Sequence, residues 1–231
     1  MKKKRGVVSG RRAFETAILT ISLSVSMLTG CSGQEESLKL TEESKGATNI
    51  TKEINKSVYD KLDFDDTAEV ENAGKGLITA PEELEITNED GKVIWSQKAY
   101  SFLEEDAADT SNPSLWRNAQ LNHIYGLFEV MNGIYQVRGY DMANITFIKS
   151  DNGWIVFDPL MSVECSTAAK QLVFEQLGEG PIKAVVISHS HVDHYGGIKG
   201  IVSEEEVEEN NIPIIVPEGY EEEVVSENVY S

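Results

Sequence analysis

Apolar positions along this chain follow four patterns. The first is an unbroken run, "AILTISLSVSML", from Ala17 to Leu28. At twelve residues it is short for a bilayer-spanning helix and suits the hydrophobic stretch of an export signal. The second is a lack of period. From residue 32 to about 80 the text is polar, charged and poor in aromatics, as in "SGQEESLKLTEESKGATNITKEINKS". Such composition predicts a flexible polar tether, assigned to 31–90, with short helical pieces near Val58 to Leu62.

The third pattern is helical. "GKVIWSQKAYSFLEED" carries Val93, Trp95, Ala99, Phe102 and Leu103 at mostly helical spacing. "NPSLWRNAQLNHI" opens with Asn112 as a cap and Pro113 in the first turn. "TAAKQLVFEQLG" sets Ala169, Leu172, Val173 and Leu177 on one face, with Gly178 as a stop. Helix is expected again in "GGIKGIVSEEE" and in the acidic "EGYEEEVVSENVYS". The fourth pattern belongs to strands. "GLFEVMNGIYQVRG" places Asn132-Gly133 between two β-rich runs, a hairpin signal, and "ITFIKSDNGWIVFD" does the same around Asp151-Asn152-Gly153. "IKAVVIS" is a near-continuous apolar strand of the buried kind, and "IPIIVP" is another short one. Strands that first pair by hairpins and then alternate with helices predict a layered α/β domain over 91–231.

Charge sharpens the reading of the N-terminus. Residues 1–30 hold six basic side chains and one acid, so they carry +5 of a chain whose formal net charge is −19. A basic head before an apolar run marks 1–30 as a signal peptide. "LTGC", Leu28 to Cys31, resembles the bacterial lipobox, in which the cysteine is acylated and becomes the new N-terminus. Acylation of Cys31 would hold the protein on a lipid bilayer, outside the cytoplasm, because buried acyl methylenes anchor it. "RRAF", Arg11 to Phe14, matches a twin-arginine export motif only in part. With Cys31 lipidated, Cys165 stands alone and is expected as a small buried side chain in a helix. The acidity elsewhere argues against nucleic acid, which selects basic surfaces. The run "SEEEVEEN", Ser203 to Asn210, lacks the glycine and alternating oxygens of a calcium loop and reads as a solvated helix end.

One stretch carries chemistry. "ISHSHVDHYGG" packs three of the four histidines and an aspartate behind an apolar strand. In extended chain, residues two apart point the same way, so His189 and His191 can face one point. If the chain then turns, Asp193 and His194 face a second point close by, while Gly196-Gly197 permit a tight fold. Imidazole and carboxylate donors suit zinc, manganese or iron. Two such ions about 3.5–4 Å apart form a known hydrolytic arrangement that acidifies a shared water. The fourth histidine, His123, is expected at the surface. Arg138 and Asp141, charges beside a strand end, are read as salt-bridging or loop-capping groups ahead of substrate contacts.

"HSHVDHYGG" resembles the metal-binding signature of the metallo-β-lactamase superfamily, whose members share a four-layer αββα fold. "NPSLWRNAQLN", "GLFEVMNGIYQVRGYDMANITFI", "GWIVFDPLMSVE" and "VVISHSHVDHYGGIKG" are similar, in order and spacing, to the N-terminal part of its alkyl sulfatase branch, from about residue 92 onward. The resemblance implies an α/β αββα sandwich of which this chain holds the N-terminal half. It implies zinc-dependent hydrolysis of sulfate esters, including primary alkyl sulfates, to alcohol and sulfate through a metal-bound hydroxide. His189 and His191 would bind one zinc ion, Asp193 and His194 the other, and Asp193 would also orient the hydroxide. The family's other ligands, its sulfate-binding residues, its dimerisation domain and a sterol-carrier-like domain lie downstream. The chain is therefore expected to be a fragment, inactive alone, of a homodimeric enzyme. Two further readings stand beside this one: a different hydrolase of the superfamily, and a non-catalytic membrane-tethered remnant.

Overall fold

A computed structural model of the protein describes residues 46–229. The signal segment, Cys31 and the first part of the expected tether lie outside the described residues. No helix among the described residues is long and apolar enough to cross a membrane.

Both hairpins form where the turn signals place them. Strands β4 (Gly126–Met131) and β5 (Ile134–Arg138) pair antiparallel, with Gly133 supplying the turn's positive φ of 81°. Strands β6 (Ile145–Ser150) and β7 (Gly153–Phe157) pair across Asp151-Asn152. The order of strands then changes character. Helix α4 (Val163–Leu177) carries the chain over the sheet to β8 (Ile182–Val186), which lies parallel to β7. Helix α5 (Glu204–Asn210) leads to the two-residue strand β9 (Ile214–Ile215), parallel to β8. With β1 (Leu77–Thr79) against β4, the described sheet has the order β1-β4-β5-β6-β7-β8-β9.

Alternation along the strands divides the sheet into two unequal faces. Val137, Ile145, Phe147, Val156 and Val185 are fully buried and join one cluster with Cys165, Ala169 and Val173 of α4. Trp154 anchors that face: its ring stacks on Phe174 and meets Tyr135 and Phe147 edge-on. Lys149 completes the corner, with its Nζ 5.3 Å from the centre of the Trp154 ring and 2.8 Å from the Leu177 carbonyl that accepts from it. On the opposite face Ile148, Ile155 and Phe157 are only half-buried. Ser162 caps α4 through its Oγ, which accepts from the Cys165 amide, and Gly178 ends the helix at φ 96°. Cys165 is buried in α4, as expected, and burial pushes its thiol up to about 12.

Three expectations are corrected. The stretch from Gly46 onward is not a flexible tether with its helical pieces near Val58 to Leu62, where the chain makes turns instead. It forms helices α1 (Asn49–Lys56) and α2 (Ala68–Gly74), then β1 and β2 (Glu85–Thr87), and it buries Leu84 and Ile86. The stretch is tied down by Arg117 of helix α3 (Pro113–Asn122). Arg117 donates to the carbonyls of Asp63 and Asp66 and pairs with Glu69 at 3.5 Å. The stretch 93–103 is not one helix. Val93–Ser96 is strand β3, paired with β2, and a 3-10 turn follows over Lys98–Glu104. The indole of Trp95 and the amide of Gln97 both donate to the Gly139 carbonyl, which ties this hairpin to the end of β5. Finally, "GGIKGIVSEEE" breaks in two: a 3-10 turn at Ile198–Gly200, then α5. The break has a local cause, because Ser203 and Glu206 form a capping box that starts a new helix.

Truncating Phe147 tests which face carries the stability. Phe147→Ala should cost about 3–5 kcal/mol in denaturant unfolding, whereas Val130→Ala, on an exposed position, should stay within about 0.5 kcal/mol.

Candidate metal centre

β8 ends at Val186, and the next eight residues gather the donors. The His189 ring centre lies 4.7 Å from that of His191 and 4.1 Å from that of His194. Two imidazoles on one tetrahedral ion have ring centres about 5 Å apart, given nitrogens 2.0–2.1 Å from it. Asp193 Oδ2 stands 3.4 Å from His194 Nε2. The structure therefore brings all four sequence-predicted donors together. It differs from the two-point expectation in one respect: His194 lies as close to His189 as His191 does. Among the described residues no three His, Cys, Asp or Glu side chains are yet close enough to share one ion.

The backbone path explains the gathering. Residues Val192–His194 make a 3-10 turn that brings His194 back over His189. Gly196 and Gly197 are needed for close approach, not for a left-handed backbone, since neither has positive φ. A Cβ on Gly196 would strike the Met161 carbonyl, and one on Gly197 would strike Ser166 Oγ and the carbonyls of Pro159 and Ser162. The metal loop is thus pressed onto the first turn of α4.

Asp158 is the residue that sequence reasoning missed. It follows β7 directly, in "VFDP", with φ 53°. Its Oδ1 accepts from the Ser188 amide at 2.8 Å and its Oδ2 accepts from Ser188 Oγ at 2.8 Å. The Ser188 hydroxyl has one proton, which goes to Asp158, so its oxygen must accept from His189 Nδ1 at 2.8 Å. That fixes the His189 tautomer and leaves Nε2 with a free lone pair, the form a metal ligand needs. Asp158 Oδ2 also lies 3.0 Å from His194 Nδ1, but out of line for a hydrogen bond, so this buried nitrogen has no hydrogen-bond partner. The signal available in the sequence was an aspartate directly after a buried strand parallel to the one that ends at the histidines.

Helix α6 (Tyr220–Val229) closes the other side. Glu227 accepts from Ser190 Oγ at 2.9 Å and approaches His191 Nε2 to 3.8 Å. Asn228 donates to the Tyr195 hydroxyl. His123 is not with the cluster. It caps α3, and its Nδ1 bonds Gln97 Oε1 at 2.8 Å. Asp141 is a loop clamp, as expected, since its carboxylate accepts from the amides of Met142, Met161 and Ser162. Arg138, by contrast, makes no salt bridge among the described residues. Its guanidinium lies 4.3 Å from the centre of the Phe128 ring.

Residues 138–230 match the family model of the metallo-β-lactamase superfamily. The chain is 48% identical over 188 residues to an (R)-specific secondary-alkylsulfatase of Pseudomonas sp., with 81% of the chain and 28% of that relative aligned. It is 44% identical over 190 residues to a linear primary-alkylsulfatase of Pseudomonas sp., again with 81% of the chain and 28% of the relative. The chain belongs to the alkylsulfatase branch of the metallo-β-lactamase superfamily. The solved structure of a stereoselective inverting sec-alkylsulfatase from Pseudomonas sp. superposes with a TM-score of 0.76 at 49% identity, over 81% of this chain and 30% of that one. The chain thus spans less than a third of the length of these alkylsulfatases. Metal dependence is what this superfamily implies, and the donor set fits it: three imidazoles, one of them with its tautomer already fixed, and a carboxylate.

In the complete enzyme, Asp158→Asn should weaken divalent-ion binding by roughly 10–100-fold, read by cobalt(II) titration, with the circular dichroism of the fold unchanged. Equal affinity would remove Asp158 from the site.

Proposed function

We propose that the protein, in its complete form, hydrolyses sulfate monoesters of alkyl chains, primary ones included, to an alcohol and inorganic sulfate. The observation that carries this reading is the convergence of His189, His191, Asp193 and His194 at the tip of β8, in a chain 42–48% identical to alkylsulfatases. His189 and His191 would hold one zinc ion, Asp193 and His194 a second. Such ions supply an acidified water and positive charge for the oxygens of the ester.

The chain's own side chains do the positioning. Ser188, held by Asp158, keeps His189 in the tautomer that presents Nε2. Asp193, part-buried and 3.4 Å from His194 Nε2, would also orient the hydroxide. Turnover is assigned to the complete enzyme, because four donors in this loop do not complete two coordination shells. Acylated Cys31 would hold the enzyme on a bilayer, where amphiphilic esters concentrate.

Two outcomes are expected. In the complete enzyme, His191→Ala should lower sulfate release from octyl sulfate on the order of a hundredfold or more, together with zinc content by elemental analysis. Undiminished turnover at full zinc content would refute the ligand assignment. Cys31→Ser should move the protein from the membrane fraction to the soluble fraction. A wild type that is already soluble would defeat the anchor.

A further inference from the structure

The sheet edge that bears the metal donors carries a second polar concentration. β5, β7 and β8 point the same way, so their C-terminal ends share this edge. The register runs Gln136, Thr146, Phe157, Val186 across the sheet. Two residues further on, Arg138 and Ser188 stand in one row, three strand spacings or about 14 Å apart.

Beside Arg138 opens a cleft of about 670 Å³. Arg138, Asn118, Asn122 and Asn144 line it with polar groups, and Trp95 and Tyr100 line it with aromatic rings. Arg138 Nε donates to Gln136 Oε1 at 2.7 Å, and Nη1 reaches the Ala73 carbonyl at 3.5 Å. Nη2 has no partner among the described residues, and no carboxylate there pairs with this guanidinium. Burial alone pulls its pKa down. Asp141 also lines the cleft, but both its oxygens accept loop amides. A partly desolvated cation ringed by neutral amides is costly to leave unpaired, and an anion at Nη2 removes that cost.

We propose that this cleft binds an anionic amphiphile, its sulfate or sulfonate head on Arg138 and its alkyl chain along Trp95 and Tyr100. The choice of ligand class rests on the sulfate-ester reading; the site itself is separate from the metal donors. It gives the ester a place to dock at the edge where the reaction occurs, on a protein whose net charge of −19 repels anions at long range.

Calorimetric titration of the complete enzyme tests this with 1-octanesulfonate, which cannot be hydrolysed, below its micellar concentration and both with and without a chelator. Saturable binding that survives the chelator is expected. Arg138→Gln should weaken it by about tenfold or more, and Arg138→Lys should recover part of the loss. Tyr100→Ala should reduce the affinity for octanesulfonate while leaving that for inorganic sulfate unchanged. Near-ultraviolet circular dichroism checks that each variant folds. The proposal is overturned by any of four results: no chelator-resistant binding, unchanged affinity in Arg138→Gln, equal affinity for 1-octanol, or equal affinity for inorganic sulfate. Turnover is not read in this titration. Intact binding upholds the cleft even in an enzyme that releases no sulfate, and absent binding defeats it even in one that does.

Discussion

The parallel pairing of β7 with β8 is the constraint on which the site depends. The two strands enter from opposite ends of α4 and leave the sheet at the same edge. There the Asp158 amide donates to the Val186 carbonyl at 3.0 Å, and the Ser188 amide returns a bond to the Asp158 carboxylate. Backbone and side chain of one residue thus hold the base of the histidine loop. A one-residue slip of β8 would turn Ser188 to the other face and release His189 from its fixed tautomer. The loop after β7 is under local strain: Leu160, fully buried, takes φ 58°, a region bulky side chains avoid. Its carbonyl accepts from the Gly197 amide, which presses the metal loop down. Strain of this kind persists only where its surroundings over-determine it, and it clusters at functional sites.

The two faces of the sheet divide the work between stability and construction of the site. The α4 face is closed, with Trp154, Phe147 and Val156 packed to near-zero exposure. The other face carries Ile148, Ile155 and Phe157 half-buried, a surface of the type on which a second sheet packs about 10 Å away. Arg138 shares the parity of Gln136 and lies on this second face, above Phe128. The donor loop rises from the edge common to both faces. It is therefore held from below by the first turn of α4 and flanked on its other side by α6.

Much of this was legible in the chain because local chemistry decided it. Asn112, Asn132-Gly133 and Gly178 each act within a few residues, and the structure uses each as its chemistry requires. The approach of His189, His191, Asp193 and His194 was legible for the same reason: a strand, a two-residue alternation and a turn suffice to bring them together. What was not legible depended on distant partners. The stretch from Asp63 to Glu69 reads as solvated until Arg117, some fifty residues away, is seen to bind the backbone carbonyls of Asp63 and Asp66 and the carboxylate of Glu69. Trp95 fits a helical pattern as well as a strand until Gly139 supplies the acceptor that holds it. Asp158 was hidden because its partners lie thirty residues downstream, across a parallel crossover that no local pattern encodes. The Ser203–Glu206 capping box was a local signal that went unused, outweighed by an apolar spacing that ran through it.

The acidity of the protein gains a specific meaning on this view. On the proposed function an anionic ester would meet repulsion from a chain of net charge −19, and α6 brings Glu227 within 3.8 Å of His191. At physiological salt the screening length is about 8 Å. What such an ester would encounter at close range is therefore set by the few groups at the sheet edge and not by the total. Exposed carboxylates elsewhere add little at the mouth of the site. Attraction must come from positive charge within one or two screening lengths of the donors: the ions that the imidazoles would hold, and Arg138, three strands away on the same edge. An arginine suits that place better than a lysine, because its guanidinium stays charged when partly buried, stacks on Phe128, holds Gln136 and the Ala73 carbonyl, and still has Nη2 to offer an anion.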